Sequence, residues 1–268
     1  MNAALFGAML KAQARSLINY ALGMVFYLWL FIWIFPSFAG SQALNHVLQA
    51  MPAGLLRVLG YTAGVTQLSG FLGGEFYSLL YLVILAIYVL FAASRLVAHL
   101  IDNGSMAYLL ATPVSRAKVA VTQAAVLLVG ILVIGLCTTV GGLVGAHWLV
   151  HNAGLNAVFF VQLNAVGVLL FCVIAGYAFA FSCLAGDERS ALGLAALVTI
   201  VFYVLHTVGQ LTPRFAWVNH LSLFTAFNAQ ALMHGTGMFA VNALCLAAAS
   251  VLLFGLAVAG FSRRQLPL

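Results

Sequence analysis

Acid chemistry in this 268-residue chain rests on four carboxylates, Glu75, Asp102, Asp187 and Glu188. General acid–base catalysis needs two titratable groups converging on one reacting atom. Three of these acids fall between apolar segments and Glu75 falls at the edge of one, so none reads as a proton relay deep in an apolar layer. The seven histidines include five in polar stretches, His46, His147, His151, His220 and His234. His147 and His151 stand four residues apart, a ligand spacing on a helix, but no carboxylate or cysteine joins them, and they read as interfacial polar residues. Cys137, Cys172, Cys183 and Cys245 lie within apolar runs and never at C-x-x-C spacing. They read as small apolar side chains between helices. The chain has no Gly-x-x-x-x-Gly-Lys-Ser/Thr run to cradle phosphates, no His-Glu-x-x-His and no Gly-x-Ser-x-Gly. It is expected to catalyse nothing alone and to hold no metal or cofactor of its own.

Two polar stripes remain. Thr199, Tyr203, His206 and Gln210 recur at helical spacing and share one face, as do Tyr77, Tyr81 and Tyr88. Polar groups on a lipid-embedded helix turn toward protein or water. Such stripes either line a passage or bond one helix to the next.

The elements that carry them are apolar. Hydrophobic residues make up 65% of the chain and charged residues 5%, and its mean hydropathy is +1.15. Too little charge is present to hydrate the surface of a soluble globule. The apolar runs are continuous rather than alternating, which excludes a β-barrel and leaves membrane-spanning helices. Six stand out, at about 17–37, 76–94, 119–146, 156–184, 190–210 and 238–260. The run after Lys11 and Arg15 resembles a signal peptide but is too long for one, and is expected to be an uncleaved first span. Small-residue pairs, Gly141 with Gly145 and Gly70 with Gly74, have the spacing that lets helices approach closely.

Net charge is +6, but the basic residues are dispersed with no stripe, which argues against nucleic acid. Their distribution instead sets an orientation. With the amino terminus inside, inner segments hold Lys11, Arg15, Arg95, Arg116, Lys118, Arg189, Arg263 and Arg264, and outer segments hold only Arg57 and Arg214. Lys and Arg are retained in the cytoplasm, so both termini are expected there. Trp29, Trp33, Trp148 and Trp217 suit an interfacial belt. In the first outer loop, residues 43–51 are amphipathic and are expected to lie at the interface. Between spans 5 and 6, the stretch around Leu221–Phe227 suggests short helices re-entering the outer leaflet.

The inner segment between spans 2 and 3 is the largest. Asp102 or Ser105 could cap a short helix with Met106, Leu109 and Leu110 on its apolar face, which Pro113 stops. Arg116 and Lys118 hold the next span at the interface. Such a helix can dock into a groove on a soluble partner, or seal the loop against lipid.

Asp102-Asn-Gly104-Ser105, then Leu109-Leu110-Ala111-Thr112-Pro113-Val114-Ser115-Arg116, resembles the signature of type-2 ABC exporter permeases, with Asp102 where Glu is commoner and Ser105 where Thr is commoner. Asp187-Glu188-Arg189-Ser190 resembles the family's approach to span 5. Phe261-Ser-Arg263-Arg264-Gln265-Leu266-Pro267 resembles its ending, with Gln265 where an acid is usual.

The resemblance implies an all-α integral membrane protein, a single domain of six transmembrane helices with cytoplasmic termini. It implies an amphipathic amino-terminal helix, residues 1–16, lying at the interface. The helix between spans 2 and 3 would be a coupling helix, with Asp102, Gly104, Ser105, Met106, Leu109, Leu110, Pro113 and Arg116 contacting a separate ABC ATP-binding subunit that holds ATP and Mg. A second permease chain would complete the exporter in a bacterial cytoplasmic membrane. Spans 2 and 5 would line the passage through Tyr77, Tyr81, Tyr88, Thr199, Tyr203, His206 and Gln210. The nearly uncharged, aromatic faces suit an amphiphile such as a peptide, drug or lipid-like molecule. A non-transporting scaffold or immunity protein would share this fold, whereas an intramembrane enzyme would need a reactive cluster at depth.

Overall fold

The computed structural model describes residues 3–38, 51, 67–110, 114–150, 154–211 and 213–264. Among these residues every regular element is helical, and six helices are long and apolar enough to cross a membrane. They are span 1 (Ala3–Ser37), span 2 (Leu68–Asp102), span 3 (Arg116–Leu149), span 4 (Ala157–Leu184), span 5 (Glu188–Leu211) and span 6 (Phe239–Arg263). The interfacial stretch expected at 43–50, Pro113, His151 and Gln265–Pro267 lie outside the described residues, as does the side chain of Leu110.

Span 4 is the hub and packs against spans 2, 3, 5 and 6. Its middle, from Leu170 to Phe179, is buried on all sides, as expected of a helix hydrophobic all round and surrounded by others. Span 1 lies along span 3, burying Leu17, Ala21, Met24, Leu28, Ile32 and Phe35 at intervals of three or four. The Gly141 and Gly145 spacing is used at this contact. A Cβ on Gly141 would sit 2.9 Å from Val25, and one on Gly145 would sit 2.9 Å from Trp29 Nε1. That proximity lets Trp29 Nε1 donate to the Gly141 carbonyl at 2.7 Å. Span 5 is the least embedded. Its buried residues are small, Ala191, Ala195, Thr199 and Gly209, with Leu192, Val198, Phe202 and Tyr203 partly buried beside them, and it leaves Leu197, Ile200 and Val204 exposed.

Three elements differ from expectation. No break separates an interfacial helix from span 1, since Ala3–Phe38 is one continuous helix. The amphipathicity at its start is nonetheless real: Leu5, Phe6, Met9 and Leu10 pack on the core while Lys11 and Arg15 are exposed. An interfacial reading and a continuous helix fit the same residues because nothing between Ser16 and Leu17 breaks a helix.

Span 2 starts earlier than 76 and is not uniformly α-helical. Leu68–Phe71 is α, Leu72–Leu80 is a π-helix, and Tyr81–Leu96 is α again. Tyr81 N accordingly bonds back to Phe76 O, five residues away. π-Segments are rare, usually a single turn, and concentrate at functional sites. Two contacts tie this one down: Ser78 Oγ donates to Gly73 O at 2.7 Å, and Gln230 Nε2 donates to Gly70 O at 2.8 Å.

Toward span 3 the chain carries two short helices, Ala98–Asp102, which closes span 2, and Ser105–Leu110, with Gly104 between them at φ +73°. Neither Asp102 nor Ser105 is the cap. Asn103 Oδ1 accepts from Ser105 N at 3.0 Å, the two-residue reach of an Asx turn. Met106 is buried and Leu109 packs on the core, so these two apolar side chains are spent within the chain. Asp102, Asn103 and Gly104 before the helix and Ala107 on it are exposed.

Between spans 5 and 6 the chain makes four short helical pieces, Pro213–Phe215, Ala216–Asn219, Leu223–Ala226 and Ala229–Met233. They fold back onto spans 4 and 5 and the π-segment, burying Val218, Phe224, Phe227, Leu232 and Met233.

Candidate functional site

The ends of five spans, four of them charged, meet in one junction. Asp187 Oδ1 accepts from Ser190 N at 2.8 Å and so caps span 5. That bond, with weaker help from Arg189, holds its carboxyl below the usual carboxylate range. The next residue, Glu188, reaches across to the end of span 2, with Oε2 2.6 Å from His99 Nδ1 and Oε1 3.9 Å from Arg95 Nε. Ser182 Oγ of span 4 accepts from Ala98 N at 2.9 Å. Arg264, closing span 6, donates to the carbonyls of Cys183 and Ala185 at 2.8 and 2.7 Å, and its own carbonyl accepts from Arg116 at 2.5 Å. The short helix that closes span 2 is therefore anchored to span 5 through Glu188, and the neighbouring ends of spans 3, 4 and 6 are bolted together by Arg264. Sequence patterning singled out Arg95, Arg116, Asp187, Glu188 and Arg264 but neither His99 nor Ser182, and none of the pairings, most of which join positions far apart in the chain.

At the other end of span 5 a cavity of about 410 Å³ opens between spans 2 and 5 and the short helices that follow span 5. Its size suits a small-molecule or headgroup site, for which about 300–1,000 Å³ is usual. Span 5 contributes Tyr203, His206, Thr207 and Gln210, and span 2 contributes Ser78 and Leu82. The remaining wall includes Asn219, Thr225, Asn228, Gln230, His234 and Thr236.

One hydrogen-bonded chain organises this wall. Asn219 Oδ1 stands 3.0 Å from His206 Nδ1, and His206 Nε2 stands 2.6 Å from Gln210 Nε2. A carboxamide oxygen can only accept, so Nδ1 carries the imidazole proton. Nε2 is then an acceptor, and Gln210 donates to it. The imidazole is neutral and bonded at both nitrogens. Asn219 is held in turn by Thr225, whose hydroxyl donates to the Asn219 carbonyl and lies 3.3 Å from its Oδ1.

The two predicted polar stripes separate here. Tyr203, His206 and Gln210 line the cavity. Thr199 does not; it is buried between spans 4 and 5, where its proton goes to Ala195 O at 2.8 Å and it accepts from Tyr177 at 2.6 Å. Tyr77, Tyr81 and Tyr88 turn away from the cavity into the core, all but inaccessible. Tyr77 donates to Asn164 Oδ1 of span 4 at 3.1 Å, Tyr81 stacks on Phe227 at 5.7 Å, and Tyr88 meets Tyr20 edge-on at 5.3 Å. Their helical spacing was read correctly, but the face they share is a packing face. The polar lining residues that sequence reasoning passed over include Ser78, Thr207, Asn219, Asn228, Gln230 and Thr236. The signal available for them was the run of Asn, Gln, Thr and His between Asn219 and Thr236.

Among the described residues no three of His, Cys, Asp and Glu come together as metal ligands. No protein-family model and no curated protein matches the chain.

Proposed function

We propose that this protein is the membrane-spanning permease of an ATP-driven exporter, moving an amphiphilic substrate outward across a bacterial cytoplasmic membrane. A separate ATP-binding subunit would power it and a second permease chain would face it. The reading rests on the resemblance of Asp102–Arg116 to the type-2 exporter signature. The observation that carries it furthest is the contact path from that segment to the cavity: Asp102 closes the helix that bears His99, His99 is bonded to Glu188, and Glu188 begins the span that ends in Tyr203, His206 and Gln210.

Span 5 is the element proposed to move. The side chains it buries most fully against the bundle, Ala191, Ala195 and Thr199, are small, while Leu192, Val198 and Phe202 pack partly beside them. An ATP-binding subunit pressing on the exposed Asp102–Gly104 and Ala107 surface would displace His99, and the pair with Glu188 would pull the inner end of span 5. The outer end, latched to Asn219 through His206, would then open or close the cavity.

Reconstitution in liposomes with its ATP-binding subunit tests the reading. ATP hydrolysis should rise with an amphiphilic substrate, and Tyr203→Ala should reduce transport while leaving assembly intact. Hydrolysis indifferent to every amphiphile would leave a scaffold, and unchanged transport by Tyr203→Ala would remove the cavity from the path.

A further inference from the structure

The hydrogen-bond polarity of the cavity identifies what it takes. Five hydroxyls line it. Besides the Tyr203 phenol, the four of Ser and Thr have each committed their proton to a backbone carbonyl: Ser78 to Gly73 at 2.7 Å, Thr207 to Tyr203 at 3.0 Å, Thr236 to Ala231 at 3.1 Å, and Thr225 to Asn219. A hydroxyl has one proton and two lone pairs, so these four offer the cavity acceptors only. Donors come from carboxamides whose oxygens are already engaged. Asn219 Oδ1 faces His206, and Asn228 Oδ1 accepts from Ala231 N at 3.0 Å, which directs their amino groups to what remains. The ring of Tyr203 and the side chains of Leu82 and Phe227 add apolar wall. Among the described lining residues there is no Lys, Arg, Asp or Glu.

We infer that the cavity binds an uncharged, polyhydroxylated headgroup, glycosyl in type, carried on an apolar chain. Each hydroxyl of such a group donates one bond and accepts others, matching acceptor hydroxyls interspersed with amide donors. A phosphate or carboxylate would meet four acceptor oxygens with no Lys or Arg beside them, and a quaternary ammonium would leave the amide donors unanswered and find no carboxylate as counter-charge. Burying an ion without a partner is strongly unfavourable. The apolar chain would run along the exposed Ile200 and Val204 below Tyr203. The inference rests on the permease reading for its purpose, though not for its chemistry.

The test uses the full chain in phosphatidylcholine nanodiscs, titrated with three probes that share one tail: octyl β-D-glucoside, octyl phosphate and octyltrimethylammonium, each kept below its micelle-forming concentration. The glucoside should bind saturably, one per chain, at least about tenfold more tightly than either charged probe. Thr236→Val, which removes a rim acceptor, should weaken the glucoside. Asn228→Asp keeps the capping oxygen but exchanges the amide donor for a charge. It should weaken the glucoside and strengthen octyltrimethylammonium, with an unaltered melting temperature showing that the fold survives. Equal binding of all three probes, tighter binding of a charged probe to the native chain, or no saturable binding would overturn the inference. Recovery of the ATP-binding subunit is scored separately. A complex that forms while the cavity fails to discriminate refutes the headgroup and leaves the permease. Discrimination without such a complex does the reverse.

Discussion

Gly209→Ala is the sharpest perturbation of the cavity that needs no substrate. Gly209 lies on span 5, where the chain folds back as Ala216–Asn219. A Cβ there would stand 2.8 Å from the backbone nitrogen of Asn219 and 3.1 Å from its Cα. Backbone cannot rotate aside as a side-chain tip can. Restoring an ordinary contact of 3.4 Å requires Asn219 to retreat by about 0.6 Å, a shift of the kind that overpacking imposes at about 1–3 kcal/mol. The retreat also stretches the 3.0 Å bond between Asn219 and His206, worth about 0.5–1.5 kcal/mol. Replacing a helical glycine returns about 1 kcal/mol. The net is a loss of about 2 kcal/mol, or about 4–8 °C in Tm for a chain of this size. Gly193→Ala is the control: it lies on the same helix with nothing within 4 Å of its Cβ, and should melt at or above the native temperature. Both are measured by thermal melting of the purified protein in detergent, with the His206 imidazole followed by NMR. A Gly209→Ala protein that melts with Gly193→Ala and keeps the native His206 resonance would refute the close approach and the latch built on it.

Glu188→Gln should change Tm little, because both partners of the His99 pair are partly exposed and such pairs contribute about 0.2–1 kcal/mol. If the contact path is correct, substrate-stimulated ATP hydrolysis should fall much further than stability does. The Asp187 carboxylate, held below its usual range by Ser190, contributes stability above the unfolded carboxylate pKa of about 3.9, and that contribution is lost as pH falls through its lowered folded value. Hydrogen exchange at the start of span 5 should therefore quicken only in that acid window, and Asp187→Asn should flatten the profile. Trp29→Phe removes the donor to Gly141 and should loosen span 1 from span 3 by about 0.5–1.5 kcal/mol, read as a lower Tm.

The six spans were legible because lipid imposes one requirement on every turn, and continuous apolar runs report it directly. Their ends were legible within a few residues where a capping side chain marks them, as Asn156 and Ser115 do for spans 4 and 3. Span 2 was not, because its π-segment depends on Gln230 reaching Gly70 across 160 positions, which no local pattern records. Tyr77, Tyr81 and Tyr88 show a second limit. Spacing reveals that residues share a face, but not whether that face meets a passage or the neighbouring helix, and here span 4 supplies Asn164 and Gly167 to receive two of them. Asn103 marks a missed local signal, an Asx turn two residues before the amide it caps. The cavity was half legible. Span 5 displayed its polar stripe, while the opposite wall came from short helices whose polar residues look from sequence like an ordinary loop.

The central claim, that force enters this chain from a separate ATP-binding subunit at the Asp102–Ala107 surface, is tested most directly by cross-linking. A photoreactive residue replacing the exposed Ala107, in the tagged full chain expressed in its native membrane, should capture a subunit carrying a phosphate-binding loop and ATPase activity. The same residue placed at lipid-facing Leu244 should not. Capture of no ATPase from position 107, with the chain intact and folded in the membrane, would contradict the account.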